Sequence, residues 1–365
     1  ERHIEKGSTP HIPVFSAELL PANGNRGEDL LKTETLTGCL LYLDSLRSLG
    51  IQGVKVAIPY PLLDKRFSHS EDYLKFYQKI AQEVRKRKMV LLVGTGTAFV
   101  DPNFSKIQWN YQKEGFSRFL QGRKEMINRV VHQIQPDYLT VANEPTTEAL
   151  ITGFSELKKP DKYAEMVRYI LNDLPRGSGK IGAGAGNWES PEFIRKVLSL
   201  PLDYIDIHIY PIQPLVFQQA RAFARETRSR GKMLIIGEAW LYKVAKGKLQ
   251  KTPPSEAFRR DAFSFWAPLD QKFIAVIAKW AQEENVAFLS FFWSKYFFAY
   301  LDYNPQLDKM PFSSIRNLVD QSVVNNLVNN QFSPTGLYLK SLISLKTSPA
   351  RTASTGLPDV SLPEL

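Results

Sequence analysis

DYLTVANEP, residues 137–145, passes from an apolar run into Asn143, Glu144 and Pro145. Its first half reads as a buried strand, because β-branched and aromatic side chains suit a pleated, packed surface. Its second half reads as the loop that ends that strand. Seven further runs of this kind are spread along the chain: PVFSAE (13–18), VKVAIPY (54–60), MVLLVGTG (89–96), KIGAGAGNW (180–188), YIDIHIYP (204–211), MLIIGEAW (233–240) and VAFLSFFW (286–293). Helical patterns lie between them. LYLDSLRSLG closes on Gly50, SEDYLKFYQKIAQEVRKRK carries apolar residues at helical spacing, and Ser190 with Pro191 forms an N-cap and first-turn pair opening SPEFIRKVLSL.

Eight strands alternating with helices predict an α/β fold of the (β/α)8 TIM-barrel type. No internal linker rich in Gly, Pro or Ser divides the chain, so residues 1–346 read as one barrel and residues 347–365, rich in Ser, Thr and Pro, as a C-terminal tail. The competing fold is an open doubly wound sheet. It would need a glycine-rich nucleotide loop after an early strand, and GTGTAF (94–99) has the wrong spacing. GAGAG (182–186) reads instead as a strand of small residues that lets the barrel interior or a ligand approach.

The bulk numbers fit a globular chain: 365 residues, 43% apolar and 12% aromatic, ample for a core and for an open groove walled by rings. The formal charge of +10 comes from clusters such as VRKRK (84–88) and RETRSRGK (225–232). These are what solvated helix C-termini look like, where cations complement the helix dipole. With no nucleic-acid-binding signature, a nucleic-acid partner is not expected. There is no run of about 20 apolar residues, hence no expected membrane span. The lone Cys39 reads as a small core residue and leaves the redox compartment open. A first residue of Glu1 is compatible with a removed signal, and so with secretion or a periplasmic location, or with a trimmed chain.

In a barrel, chemistry gathers where the strands end C-terminally. Those ends carry Glu18, Tyr60, Asn143 with Glu144, Trp188, His208 with Tyr210, Glu238 with Trp240, and Trp293. Strands four and seven both close on a glutamate set in apolar sequence. A buried carboxylate needs hydrogen-bond donors or a task. The structural alternative makes Glu144 a loop cap and Glu238 a salt-bridge partner. Two carboxylates in different surroundings are also the equipment of glycosidic bond cleavage, one as acid and one as nucleophile.

With Asn143-Glu144-Pro145 closing strand four and Glu238 closing strand seven, the chain resembles the clan of retaining β-glycoside hydrolases built on (β/α)8 barrels, which includes cellulases, mannanases, xylanases and galactanases. The likeness spans roughly residues 12–345. It implies a covalent glycosyl-enzyme intermediate, with Glu238 as nucleophile and Glu144 as general acid/base. It also implies that Asn143 holds the sugar 2-hydroxyl, that Tyr210 of the strand-six pair His208 and Tyr210 hydrogen-bonds the nucleophile, and that Trp293 stacks under the sugar. Trp188, Trp240, Tyr60 and, on the stretch 97–121, Trp109 and Tyr111 are candidate sugar platforms, and Glu18 a candidate partner for a distal hydroxyl. Many clan members carry an Arg near the end of strand two and a His near strand three. Here those positions read Ala57, Ile58, Pro59, Tyr60 and Gly94, Thr95, Gly96, so support for the nucleophile must come from elsewhere.

Other classes are weighed against this one. No His-x-His or His-Glu-x-x-His pattern occurs, so neither a catalytic metal nor another cofactor is expected. A phosphosugar enzyme would need a glycine-rich phosphate loop near strand seven or eight. A non-hydrolytic carbohydrate-binding barrel or a transglycosylase would keep the aromatic groove, and a degenerate scaffold for partner binding is the third alternative. The expected partner is a β-linked glycan.

Overall fold

The structure is a computed structural model describing residues 11–211, 215–244 and 251–347. All eight expected strands form: β1 (Val14–Glu18), β2 (Gly53–Ala57), β3 (Val90–Gly94), β4 (Tyr138–Thr140), β5 (Lys180–Gly186), β6 (Tyr204–Ile209), β7 (Met233–Ala239) and β8 (Phe288–Phe291). They pair in parallel in chain order and β8 closes on β1, so the fold is a closed (β/α)8 TIM barrel. The tail beyond Thr347 lies outside the described residues.

Period-two alternation sorts the strand residues into two cores. On β6, Ile205, Ile207 and Ile209 face the helices, whereas Tyr204 joins Leu92, Ile235 and Phe288 in a separate cluster filling the lower barrel. Gly182 of β5 explains how the large ring of Tyr204 fits, since a Cβ there would collide with it. Above this apolar layer the interior turns polar, with Lys55 on β2, Thr140 on β4 and Asp206 on β6 all fully buried. Thr140 Oγ1 donates to Asp206 Oδ2 at 2.7 Å, and Lys55 pairs with Glu238, as burial demands.

The outer helices carry the positive charge as expected. The helix Ser70–Lys86 begins with Glu71 and Asp72 and ends with Arg85 and Lys86, matching its dipole. Beyond it Arg87 pairs with Asp44, and Arg228 pairs with Glu284. The stretch 97–121 is more ordered than a loop, with one turn at Tyr111–Glu114 and a helix from Phe116 to Arg129. Cys39 is buried. Among the described residues no helix is long and apolar enough to cross a membrane.

Candidate active site

A cavity of about 110 Å³ opens at the C-terminal mouth of the barrel, lined among others by Lys55, Asn143, Glu144, His208, Glu238 and Phe292. A larger hollow of about 270 Å³ lies at the opposite end, around His132, Arg176 and Gly179. No carboxylate lines it, whereas Glu144, Glu148 and Glu238 line the smaller one.

Glu238 reaches this mouth through a local break in the alternation. The β6–β7 register runs Ile207 with Ile236 and then His208 with Glu238, leaving Gly237 as one extra residue, a β-bulge. The Gly237 amide donates to Asp206 Oδ1 at 2.7 Å, and a Cβ at this position would collide with that carboxylate. Without the bulge Glu238 would follow Ile236 out toward the helices, because a one-residue slip exchanges the two faces.

Glu144 is delivered differently. Backbone pairing continues past β4 as far as Ala142, whose carbonyl accepts from Gly184 N at 2.9 Å. Glu144 then adopts a left-handed backbone, φ 45° and ψ 57°, at the head of the helix Pro145–Thr152. Few non-glycine residues do so, and the surroundings must hold it there. The clamp is Glu189, a buried carboxylate after β5. Its Oε1 accepts from Thr146 N at 2.6 Å and Thr146 Oγ1 at 2.7 Å, and its Oε2 from Gly186 N at 2.8 Å. Burial outweighs these donors and pushes its pKa up to about 7.

The two glutamates meet across His208. Its Nδ1 lies 2.6 Å from Glu144 Oε1 and 3.6 Å from Glu238 Oε2. One oxygen of each carboxylate and one ring nitrogen all fall within 4.8 Å of one another. The other ring nitrogen, Nε2, stands 3.8 Å from Asp206 Oδ2 and 3.4 Å from the Asn143 side-chain amide. Burial opposes charge on this imidazole, but Glu238, Asp206 and Glu144 outweigh it, with Lys55 opposing, and its pKa is pushed up to about 10.

Glu238 is held ionised. Burial favours its neutral form, yet the Lys55 ammonium, the charged His208 and two hydrogen bonds keep its carboxyl below the ordinary range. Those bonds come from Lys55 Nζ and from Tyr210 OH, the latter at 2.8 Å. Lys55 also lies 4.0 Å from Glu18 Oε2. Burial and the neighbouring Glu238 raise the Glu18 pKa to about 7 against the pull of Lys55 and an Asn23 hydrogen bond of 3.2 Å.

The sequence-based reading therefore missed Lys55. The cation it sought at the end of strand two sits inside β2, between Val54 and Val56, which pack outward. The signal was present in VKVA: a lysine inside an otherwise apolar parallel strand cannot reach water and needs an anion.

The platform residues divide. Trp188 is 37% exposed, in a T-shaped contact with Tyr210 at 5.8 Å, with its ring packed over Gly186. Trp293 is half-buried between Phe258 and Phe292, and Phe292 is the β8-side ring that lines the cavity. Trp240 is a core residue, not a platform: it stacks on Tyr296 and packs against Phe273 and Phe297. Tyr60 is likewise buried, its hydroxyl bonded to Glu114 and Asp64, and Tyr111 is buried with its hydroxyl on the Tyr60 and Ala98 carbonyls. Trp109 is half-buried, its indole N–H tied to Glu114 at 2.8 Å. Glu18 is fully buried beneath Lys55 and does not line the cavity, so it is no partner for a distal hydroxyl. For Tyr60 and Trp240 the strand ends before the residue in question, at Ala57 and Ala239, and alternation no longer says which way it points.

Glu144, His208 and Glu238 are close enough to share a cation, but Lys55 already bonds the Glu238 carboxylate, so a metal there would face a buried ammonium on the same ligand.

No protein-family model matches the chain, and no curated protein is similar in sequence. Solved structures are similar in fold. A GH5_18 protein from Bifidobacterium longum subsp. longum superposes with a TM-score of 0.60 at 12% identity, over 95% of this chain and 81% of that one. A β-glucosidase from Exiguobacterium marinum gives 0.53 at 9% identity, over 94% and 99%. An exo-β-1,4-mannosidase from Opitutaceae bacterium strain TAV5 gives 0.52 at 12% identity; 92% of this chain is covered but only 60% of the mannosidase. The chain shares the barrel architecture of several groups of glycoside hydrolases.

Proposed function

We propose that this protein is a retaining β-glycoside hydrolase acting on an oligo- or polysaccharide, with Glu238 as nucleophile and Glu144 as acid/base. The observation that carries this reading is the pair of carboxylates facing each other at the barrel mouth, with oxygens within 4.8 Å. Retaining enzymes hold their two carboxyl groups about 5–5.5 Å apart for direct attack, whereas inverting ones leave about 6.5–9.5 Å for a water.

The surroundings fit the roles. Glu238, kept anionic by Lys55 and aimed by Tyr210, attacks the anomeric carbon. Glu144, whose Oε1 lies 2.6 Å from His208 Nδ1, passes a proton to the leaving oxygen as the glycosidic bond breaks. Once Glu238 is esterified, Glu144 takes a proton from the incoming water and the ester is hydrolysed. Asn143, 3.4 Å from His208 Nε2, holds the sugar 2-hydroxyl in this reading.

The test is product formation from a panel of aryl β-glycosides and β-linked polysaccharides by wild type and Glu238→Ala, with and without azide. Loss of cleavage in the variant and its return as an α-glycosyl azide are expected. Unchanged activity in Glu238→Ala would refute the assignment, and glycan binding without cleavage by the wild type would point to a non-hydrolytic barrel.

A further inference from the structure

Glu144 enters its helix under constraint. It stands at the N-cap of Pro145–Thr152 with φ 45°, and its own side chain caps no backbone amide. Pro145 has no N–H, so Thr146 supplies the first free amide of the helix. That amide is taken by a carboxylate from another loop: Glu189 Oε1 accepts from Thr146 N at 2.6 Å and from Thr146 Oγ1 at 2.7 Å.

Glu189 is itself fixed on three sides. Its Oε2 accepts from Gly186 N at 2.8 Å, its amide donates to the Gly186 carbonyl at 3.1 Å, and its carbonyl accepts from Gln219 Nε2 at 2.7 Å. Gln219 belongs to the helix Leu215–Ser229 that follows β6, so the turn carrying Glu189 is tied to the strand before it and to the helix beside it. Glu189 is 4% exposed and does not line the catalytic cavity, so it reaches the substrate only through Thr146 and Glu144. Resting on the glycosidase reading above, we infer that Glu189 is the positioning residue of the acid/base: through Thr146 it holds the left-handed turn at Glu144 and keeps that carboxyl at the mouth, where the leaving oxygen takes its proton. Without Glu189 a non-glycine residue relaxes from this conformation toward the common regions of backbone space, and the carboxyl turns with it.

The experiment is a leaving-group series. It compares kcat/KM for wild type, Glu189→Ala, Glu189→Gln and Thr146→Val on phenyl and dinitrophenyl β-glycosides of the sugar cleaved best, with Glu144→Ala as the limit. Dinitrophenolate departs without a proton and phenolate needs one, so a displaced acid is felt on the phenyl substrate alone. Glu189→Ala is expected to lose about 100-fold there, as for a reacting group misplaced by about 1 Å, and to change little on the dinitrophenyl glycoside. The same carboxyl activates the water of the second step, so kcat on the dinitrophenyl glycoside should fall, and azide, which needs no base, should restore it as the β-glycosyl azide. Thr146→Val, which deletes the hydroxyl and keeps the amide, should lose about 5-fold on the phenyl substrate only, and Glu189→Gln, whose oxygen still accepts from Thr146 N, should lie between the two. Variants that lose equally on both substrates, or lose nothing on either, would reduce Glu189 to a cap of the fold and overturn the inference. Should Glu189→Ala not fold, Thr146→Val and Glu189→Gln decide by the same criterion. If the wild type cleaves no β-glycoside at all, the glycosidase reading fails first and this assignment falls with it.

Discussion

Replacing Lys55 by Met removes the ammonium that contacts Glu238 while keeping an unbranched side chain of similar length. Burial is the largest influence on Glu238, and it favours the neutral acid; Lys55 is the largest influence opposing it. Glu18 gauges what burial does in this part of the barrel. It too is enclosed, but Lys55 stands 4.0 Å away rather than in contact, and its pKa is about 7. Without Lys55, Glu238 loses the largest influence that opposes burial, so its pKa is expected to rise, with His208 and Tyr210 limiting the rise. The acid limb of kcat/KM then moves to higher pH, each unit of movement lowering kcat/KM about tenfold on the acid side while the activity returns at higher pH. The assay is the pH profile of kcat/KM on an aryl β-glycoside, with circular dichroism to confirm folding, since opening a buried ion pair costs about 3–5 kcal/mol. Lys55→Arg, which keeps the charge, should retain the low acid limb. A folded Lys55→Met enzyme whose acid limb coincides with the wild type's would refute the assignment of Lys55 as the group that holds Glu238 ionised.

Tyr210→Phe deletes the 2.8 Å hydrogen bond to Glu238 and is expected to lower kcat by about 10-fold or more while leaving thermal stability within about 1 kcal/mol; an unchanged kcat would contradict the positioning role. Trp240→Ala should cost about 3–5 kcal/mol of stability in a denaturant titration, as for other buried tryptophans, whereas Trp188→Ala should spare stability and raise KM; the reverse pattern would restore Trp240 as a platform. Stability should also depend on pH through Glu18, Glu189 and Asp261, each buried and each with a pKa of about 7. The folded protein holds their protons more tightly than the unfolded chain, so this contribution is fully present below pH 4 and is lost as pH rises through 7, about 3 kcal/mol for each. The free energy of unfolding should fall between pH 5 and pH 8, less steeply in Glu189→Gln, and a rise over that window would show that these groups are ionised in the fold.

The barrel was legible because each strand announces itself twice, by an apolar run and by the helix that follows. The carboxylate pair was legible because a glutamate closing a buried strand has few other uses. Alternation along YIDIHIYP likewise placed Asp206 and His208 on one face. What escaped the sequence has a common cause. Alternation holds only while the ladder holds, so Tyr60 and Trp240, read as platforms, fold back into packed cores. The bulge at Gly237 turns Glu238 inward by a single inserted residue, visible only as a glycine in LIIGEAW. Lys55 was passed over because a lone lysine suggests a surface, although both of its neighbours belong to the core. Glu189 acts through backbone amides and Glu148 through an ion pair with Arg123, and neither leaves a spacing to read.

The central claim is that Glu144 and Glu238 are spaced for direct attack and not for an intervening water. Proton NMR of the hydrolysis in progress, followed from the first turnovers of a β-glycoside, reads the anomeric configuration of the sugar before it mutarotates. The β-anomer is expected to appear first and the α-anomer to grow in later. An α-anomer released first would mean inversion through a water and would contradict the roles assigned to both glutamates.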